Sequence, residues 1–316
     1  MAAVTNFNPG AGVMSDVDFA TLVDKTLDEV RVQPNMVTTE GEKYLVKQTS
    51  MLKEYKIGEV TSILDLPPEN EDGDNIPLMV PPKGFSKTIT TVNYRAGIMI
   101  TDDMKSTDYH RKVGAMIVGL PMSVKQRREY LYVAPFNDGI TGSTFTGADG
   151  VAMFSDSHPH RDPEFGTWDN LLTAAAPSQA AITLAWRSMQ NLTNDKGHPC
   201  PVNLKRIVTG VTQWTEFKRL LSSAKEAENS LNAENIWNGV IELDAPWHYL
   251  TSTALWMGYG DMPKQFDGVI RVVRVPENYK RINVSSNPDL IYGRRVKFSE
   301  AVDLLHGRNW VGNAGA

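Results

Sequence analysis

The 316-residue sequence contains a single cysteine, Cys200, so it can form no intrachain disulfide. The chain therefore reads as built for a reducing compartment, with Cys200 as a small buried hydrophobe. It has no run of 18 apolar residues. The most apolar stretch, Leu171 to Trp186, is broken by Pro177, Ser178 and Gln179, which argues against a membrane-spanning helix. No Lys or Arg precedes Lys25 and no apolar signal core is present, so neither secretion nor a membrane anchor is expected; the reading is a soluble, cytosolic protein. A phosphate-binding glycine loop, a Gly-x-Ser-x-Gly elbow and an HExxH helix are all missing, which removes the sequence support for nucleotide or nucleophilic chemistry. Basic charge is also short, with 32 Lys and Arg against 37 Asp and Glu and a net charge of −5. The basic groups Lys125, Arg127, Arg128, Arg294, Arg295 and Lys297 are too few for a protein that binds DNA by itself, and ion pairs with acidic neighbours are their expected use.

Charge is unevenly spread along the chain. Residues 1–80 carry 14 acidic and 6 basic side chains, while residues 270–316 carry 4 acidic and 8 basic. Such polarity suits a chain whose first and last segments meet, within one molecule or between neighbours. Residues 1–15 are rich in Gly, Asn and small side chains and read as an arm. Asp16 or Asp18 could cap a short helix with Phe19, Leu22, Val23 and Leu27 at three- and four-residue spacing. Polar, weakly periodic sequence runs on to about Thr49. This arm, residues 1–48, has little to bury by itself and implies a partner.

β-Branched, alternating runs at Glu54–Leu66 and Phe85–Thr101 predict two strands. Between them residues 67–84 hold five prolines together with Glu69, Glu71, Asp72 and Asp74, a composition that cannot continue a strand. The two runs and their tip, residues 49–101, predict a long protruding hairpin. Its tip also carries Ile76, Leu78, Met79 and Val80, apolar groups without a local reason to cluster in a hydrated turn. They are expected to dock on a neighbouring subunit, with the tip acids meeting Arg294, Arg295 and Lys297.

A helix is predicted from Asp102 or Asp103 to Asn137, with apolar groups at Tyr109, Val113, Met116, Leu120, Val124 and Leu131. At 1.5 Å per residue it spans on the order of 45 Å. Pro121 in its interior predicts a kink. Residues 138–170 are turn-rich. Beyond them the pattern predicts helices at 178–193 and 213–222 and strands at 204–211, 240–243 and 250–257. Later strands at 269–275, 281–284 and 290–298 are expected to form a second sheet closed by Trp310-Val311-Gly312. Interleaving of this kind indicates an α+β fold.

The helix runs into Asn137 and is followed by Phe145 to Pro159, FTGADGVAMFSDSHP, with Asp149-Gly150, Phe154-Ser155 and His158-Pro159. This order of short motifs resembles the major capsid proteins of tailed bacteriophages, and the resemblance continues in patches to the C-terminus. It implies an HK97-type α+β capsid fold: the N-terminal arm (1–48), an extended β-hairpin loop (49–101), the spine helix of a peripheral domain (102–137), an axial domain with its preceding turn-rich segment (138–261), and late peripheral strands with the C-terminus (262–316). It implies a non-enzymatic shell protein that assembles as pentamers and hexamers into an icosahedral virion capsid. That shell would enclose double-stranded DNA without sequence-specific binding, and it would be put together in the host cytoplasm. No assembly domain precedes the arm, so a separate scaffolding protein is expected, together with a portal and decoration proteins; no cofactor and no membrane are expected. Some members of this family weld subunits through a hairpin lysine and an asparagine. Lys83, Lys87, Asn283 and Asn287 could be compared with that set, but none can be matched residue by residue.

Two rival readings stay open on the sequence. One is an encapsulin-like nanocompartment of the same fold, carrying protein cargo. The other is a metal-dependent hydrolase using Asp156, His158 and His160, whose alternation would place carboxylate and imidazole on one face of an extended segment. His158-Pro159 is already accounted for by the capsid-like motif, and the expected role of the cluster is hydrogen bonding that pins the loop.

Overall fold

The computed structural model describes Thr21, Lys25 and residues 39–58, 84–101, 103–104, 110–225, 233–263, 267–282 and 290–315. Outside these lie the expected arm helix around Phe19 to Leu27, the hairpin tip with Ile76, Leu78, Met79 and Val80, and the residues Lys83, Asn283 and Asn287. In chain order the strands are β1 (Val46–Thr49), β2 (Glu54–Gly58), β3 (Ser86–Thr90), β4 (Val92–Thr101), β5 (His158–Pro159), β6 (Thr167–Trp168), β7 (Leu171–Leu172), β8 (Leu204–Thr209), β9 (Glu242–Leu243), β10 (Trp256–Gly260), β11 (Val269–Arg281), β12 (Leu290–Leu304) and β13 (Trp310–Asn313). The helices are α1 (His110–Asn137), α2 (Gln179–Gln190) and α3 (Val211–Ser222). The fold is α+β, as the interleaved pattern requires. Its described residues divide into two compact units: those within Met1–Thr38, Asn93–Arg127 and Glu277–Phe298, and those within Thr39–Val92, Arg128–Pro276 and Ser299–Ala316.

In the smaller unit, strands run in the order β11-β12-β4. α1 covers them with Leu120 and Val124, which pack on Val296, Phe298, Tyr94, Ile98 and Tyr279. Tyr94 stacks on Phe298 at 5.0 Å between centroids, and the Arg127 guanidinium lies 5.1 Å from the centre of the Tyr94 ring.

The larger unit is built on a five-stranded sheet in the order β7-β13-β10-β8-β9. Adjacent residues of its central strands feed opposite cores. Ile207, Trp256 and Val311 join the side chains of α2 and α3, whereas Val208, Met257 and Trp310 join Tyr132, Val133 and Phe136 from the end of α1. A period-two pattern in which both faces are apolar is what a sheet buried on two sides demands. Ser178 caps α2 by accepting from the Ala181 N–H at 3.1 Å, and the buried face of that helix is Ala181, Ile182, Ala185 and Met189.

Three sequence expectations are revised. Residues 39–48, assigned to the arm, are part of the body: Tyr44 and Leu45 are buried, and β1 pairs in parallel with β11 from Val46↔Ile270 to Thr49↔Val273. Three apolar residues in a row are too few to show a period. Of the start expected for the long helix at Asp102 or Asp103, Asp102 lies outside the described residues and the helix is described from His110; before it, the Thr101 hydroxyl accepts from the Met104 N–H. The strand expected at 250–257 begins at Trp256, because the backbone of 249–251 is held by Asn137 instead of a strand partner. Finally, β13 does not close the second sheet. It inserts between β7 and β10, in register Trp256↔Asn313 and Gly312↔Leu171.

The hairpin base is present. β2 and β3 are antiparallel from Glu54↔Thr90 to Gly58↔Ser86, which places the segment between them beyond Gly58 and Ser86. Met51 and Leu52, just before β2, are exposed. α1 is continuous through Pro121 and through a second proline, Pro135, one turn from its end.

Candidate functional site

The Asp-Gly to His-Pro segment is anchored at the end of α1 from its first residue onward. Asn137 closes the helix and clamps the 249–251 backbone: its Nδ2 donates to the Tyr249 carbonyl at 3.0 Å and its Oδ1 accepts from the Thr251 N–H at 2.9 Å. Asp138 then organises the turn. Its carboxylate accepts from the Thr141 hydroxyl (2.6 Å), from the Ser143 N–H and hydroxyl (3.0 and 2.7 Å), and from the N–H groups of Thr144 and Phe145 (2.6 and 2.7 Å). Partial burial acts to raise the pKa of this group, yet the hydrogen bonds outweigh it and hold the carboxyl well below the usual carboxylate range.

Gly150 has φ of 83°, the left-handed region that a side chain disfavours, and it makes the reversal that returns Val151 to Gly147. Met153 and Phe154 then drop into the core beside Phe136, and the Phe154 N–H donates to the Gly139 carbonyl at 2.7 Å. The Phe154 ring lies flat against Gly312 of β13, where any Cβ would overlap it. The motif is thus a plug between the end of α1 and the C-terminal strand.

His158 follows in β5. Its ring stacks on Trp168 at 4.1 Å and 12°. Nδ1 faces Asp149 Oδ2 at 2.7 Å and Nε2 faces Asn170 Oδ1 at 3.1 Å. The amide of Asn170 cannot be the other way round, because Nδ2 is surrounded by the carbonyls of Met153 (2.8 Å), Gly307 (3.1 Å) and Trp310 (3.2 Å), while Oδ1 also accepts from the Ser155 N–H at 2.9 Å. Both ring nitrogens therefore face acceptors.

His160 is buried two residues on, with Nε2 3.3 Å from the Thr193 hydroxyl and Nδ1 3.5 Å from Asp195 Oδ1, too far for a hydrogen bond. Asp195 Oδ1 is already taken by Arg308, whose Nη2 donates at 2.6 Å while Nη1 donates to the Thr193 carbonyl at 2.8 Å. His306 lies in the same neighbourhood, with Nδ1 near the Arg308 N–H at 3.4 Å. Burial, and then the positive charge of Arg308, push His160 below its ordinary value and push His306 down to about 3.

The three metal-ligand candidates do not converge. His158 is committed to Asp149 and Asn170, His160 faces Thr193 and Asp195, and Asp156 accepts from the neighbouring Ser157 hydroxyl. No group of three or more His, Cys, Asp or Glu among the described residues is placed to hold a metal ion. Of the basic residues expected to meet a neighbour's acids, Arg294 is buried with its guanidinium 5.7 Å from the Tyr279 ring centre, on the same strand face as Val296 and Phe298; Arg295 is exposed and Lys297 is half-buried. Arg294 alternates in phase with the core positions of β12, which removes it from the docking set. Lys87 is held inside the larger unit, with Nζ at 2.6 Å from both Asp303 and the Thr146 carbonyl.

Sequence reasoning missed Asn170, Asp195, His306 and Arg308, which complete the cluster. It also missed a buried ionic network. Glu300 accepts from Arg128 Nε (3.0 Å) and Arg271 Nη2 (2.8 Å), and Arg271 Nη1 reaches Glu42 at 2.7 Å. Beside it, Glu129 on α1 accepts from the N–H groups of Glu40 and Gly41 (2.9 and 3.3 Å), while Glu40 accepts from the His248 and Tyr249 N–H groups. Burial pushes the Glu129 carboxyl up, against the effect of the two N–H donors. The use of Arg128 in an ion pair agrees with the sequence expectation.

No protein-family model matches the chain, and no curated protein matches it. Solved structures similar to it include the procapsid of bacteriophage JBD30 (11% identity, TM-score 0.47, covering 94% of this chain and 73% of that one). Others are Microbacterium phage Oxtober96 (10%, 0.49, 96% and 100%) and a virus-like particle from Pyrococcus furiosus (8%, 0.48, 94% and 99%).

Proposed function

We propose that this chain is the major capsid protein of a tailed bacteriophage, assembling as pentamers and hexamers into an icosahedral shell around double-stranded DNA. The observation that carries this reading is the docking of the Asp-Gly to His-Pro segment on the end of the long helix: Phe154 packs beside Phe136 and Gly139, and Asn137 closes the helix. These are the two features whose pairing in the sequence resembles capsid proteins. The hairpin base formed by β2 and β3 and the helix-on-sheet packing of the smaller unit fit the same reading. Assembly would rest on many modest contacts, each adding burial at about 25 cal/mol per Å² of apolar area, with the arm and hairpin tip exchanged between neighbours. Scaffolding, portal and decoration proteins belong to this proposal, as do assembly in the host cytoplasm and residence in the virion.

Expression of the chain, alone and with the scaffold encoded beside it, should give capsomers or closed particles in sedimentation velocity and negative-stain microscopy. A chain that stays monomeric under every assembly condition would overturn the proposal. Particles that enclose protein cargo and no nucleic acid when made in infected cells would favour the nanocompartment reading instead.

The shape of the subunit enters through Pro121. A helix-interior proline costs about 3 kcal/mol relative to alanine, so Pro121→Ala should leave the melting temperature unchanged or higher even after the loss of its buried ring. If the proline bends α1, as we propose, the variant should nevertheless yield aberrant particles. Shells of normal size from this variant would show that curvature does not depend on Pro121.

A further inference from the structure

We infer that His160, Asp195, Arg308 and His306 form an acid-released latch on residues 305–309, the link within the larger unit between β12 of one sheet and β13 of the other. This inference stands apart from the capsid reading and can be tested on the unassembled chain.

The geometry is a competition for one oxygen. Arg308 Nη2 holds Asp195 Oδ1 at 2.6 Å, while the buried Nδ1 of His160 waits 3.5 Å from the same atom without a hydrogen bond. Through Nη1 on the Thr193 carbonyl, the same guanidinium ties the 305–309 link to the 193–198 loop. The link is also held by Leu305, whose N–H donates to the Gly268 carbonyl (2.6 Å) and whose carbonyl accepts from the Ala148 N–H (2.7 Å), by the Asn170 amide on the Gly307 carbonyl, and by Asn309, whose carbonyl accepts from the Gly260 N–H (2.9 Å) and whose amide joins Asp267 and the Met262 N–H. His306 needs an unprotonated Nδ1 to accept from the Arg308 N–H.

The charged groups facing His306 are Arg308, Asp149, Asp195 and His158; those facing His160 are Arg308 and Asp195. Asp195 is already occupied by Arg308, and Asp149 faces His158. A proton on the buried His160 or the half-buried His306 is then unmatched charge, which is relieved when protonated His160 takes Asp195 from Arg308.

The sign follows from linkage. Both histidines are harder to protonate in the closed latch than in the opened chain, where they titrate near 6.5. The latch is therefore fully stabilised above about pH 6.5 and weakens as pH falls, down to about 3 for His306. From pH 7.5 to 5.5 the opening equilibrium should grow about tenfold through His306, and His160 adds to this in the same direction.

Hydrogen exchange read by mass spectrometry, corrected for intrinsic rates, tests this. Protection of residues 305–310 should fall at least about tenfold between pH 7.5 and 5.5 while β8 (204–209) keeps its protection. In the double variant His160→Gln, His306→Asn, the side-chain amides can replace the hydrogen bonds of Nε2 and Nδ1 but cannot take up a proton, so the response should vanish. Equal loss of protection in both segments, or a double variant that responds like the parent, would overturn the latch. If the variant does not fold, the segment-selective response of the parent alone decides.

Discussion

Asn170→Ala should cost about 3–5 kcal/mol, enough to consume much of the stability of an ordinary domain. The substitution removes one small amide, but it takes a donor from the carbonyls of Met153, Trp310 and Gly307, the last of which keeps the Trp310 N–H, and it strands the Ser155 N–H and the Nε2 of His158. Each buried polar group left unpaired costs about 1–3 kcal/mol, and relaxation of the loop will recover part of the sum. Volume can be separated from polarity with Asn170→Asp, which has the same size but sets a carboxylate oxygen against three carbonyls. It should destabilise at least as much at neutral pH. Urea unfolding followed by tryptophan fluorescence reports both, since Trp168 and Trp310 adjoin the site. A midpoint for Asn170→Ala within the equivalent of about 1 kcal/mol of the parent would mean that water replaces the amide and that the plug is not held by this residue.

The two amphipathic helices α2 and α3 and the central strand β8 were legible in the sequence because their signal is local. Ser178 caps α2, and Ile207 and Val208 need only alternate to serve the two cores on either side of the sheet. What was not legible depends on distant partners. Trp310 to Asn313 reads as a strand, but nothing in those four residues says that the partners are β10 and β7 rather than the late strands before it. Arg294 looks like any surface cation until the register of β12 places it beside Tyr279. The same holds for the site. Asp149-Gly150 and His158-Pro159 announce themselves as a motif, whereas Asn170, Asp195 and Arg308 lie in turn-rich sequence where a polar side chain is the ordinary choice. Only the fold brings His158 and Asn170 within hydrogen-bond distance, and sets Arg308 on Asp195 across 113 residues. Glu129 is the instructive case on α1, because a carboxylate one position from Arg128 suggests a solvated face. It is buried instead, as the acceptor for two backbone N–H groups at 40 and 41.

Replacing residues 69–80 by a short Gly-Ser turn should leave the subunit folded and abolish stable shells. The register of β2 and β3 motivates the first half of this expectation. Their five paired residues, Glu54 to Gly58 against Ser86 to Thr90, close the hairpin base without the tip. Ile89 is buried with Ile270 and Val272, and Tyr55 and Ile57 pack against them, so the base is anchored in the core of the larger unit. Circular dichroism and the melting temperature should therefore match those of the parent. The second half rests on composition. Prolines and acids in residues 67–84 disfavour a strand, yet Ile76, Leu78, Met79 and Val80 stand close together in the sequence, and we propose that a surface on a neighbouring copy receives them. Arg295 and Lys297 remain the cations available to the tip acids, now without Arg294. Charge reversal of these two should weaken assembly at low salt more than at high salt, since exposed pairs are screened. Particles from the shortened chain as robust as those of the parent would remove the hairpin from the assembly mechanism. A shortened chain that no longer folds would instead place residues 69–80 in the subunit's own core, and the base pairing of β2 with β3 would then be a consequence of that core rather than its independent anchor.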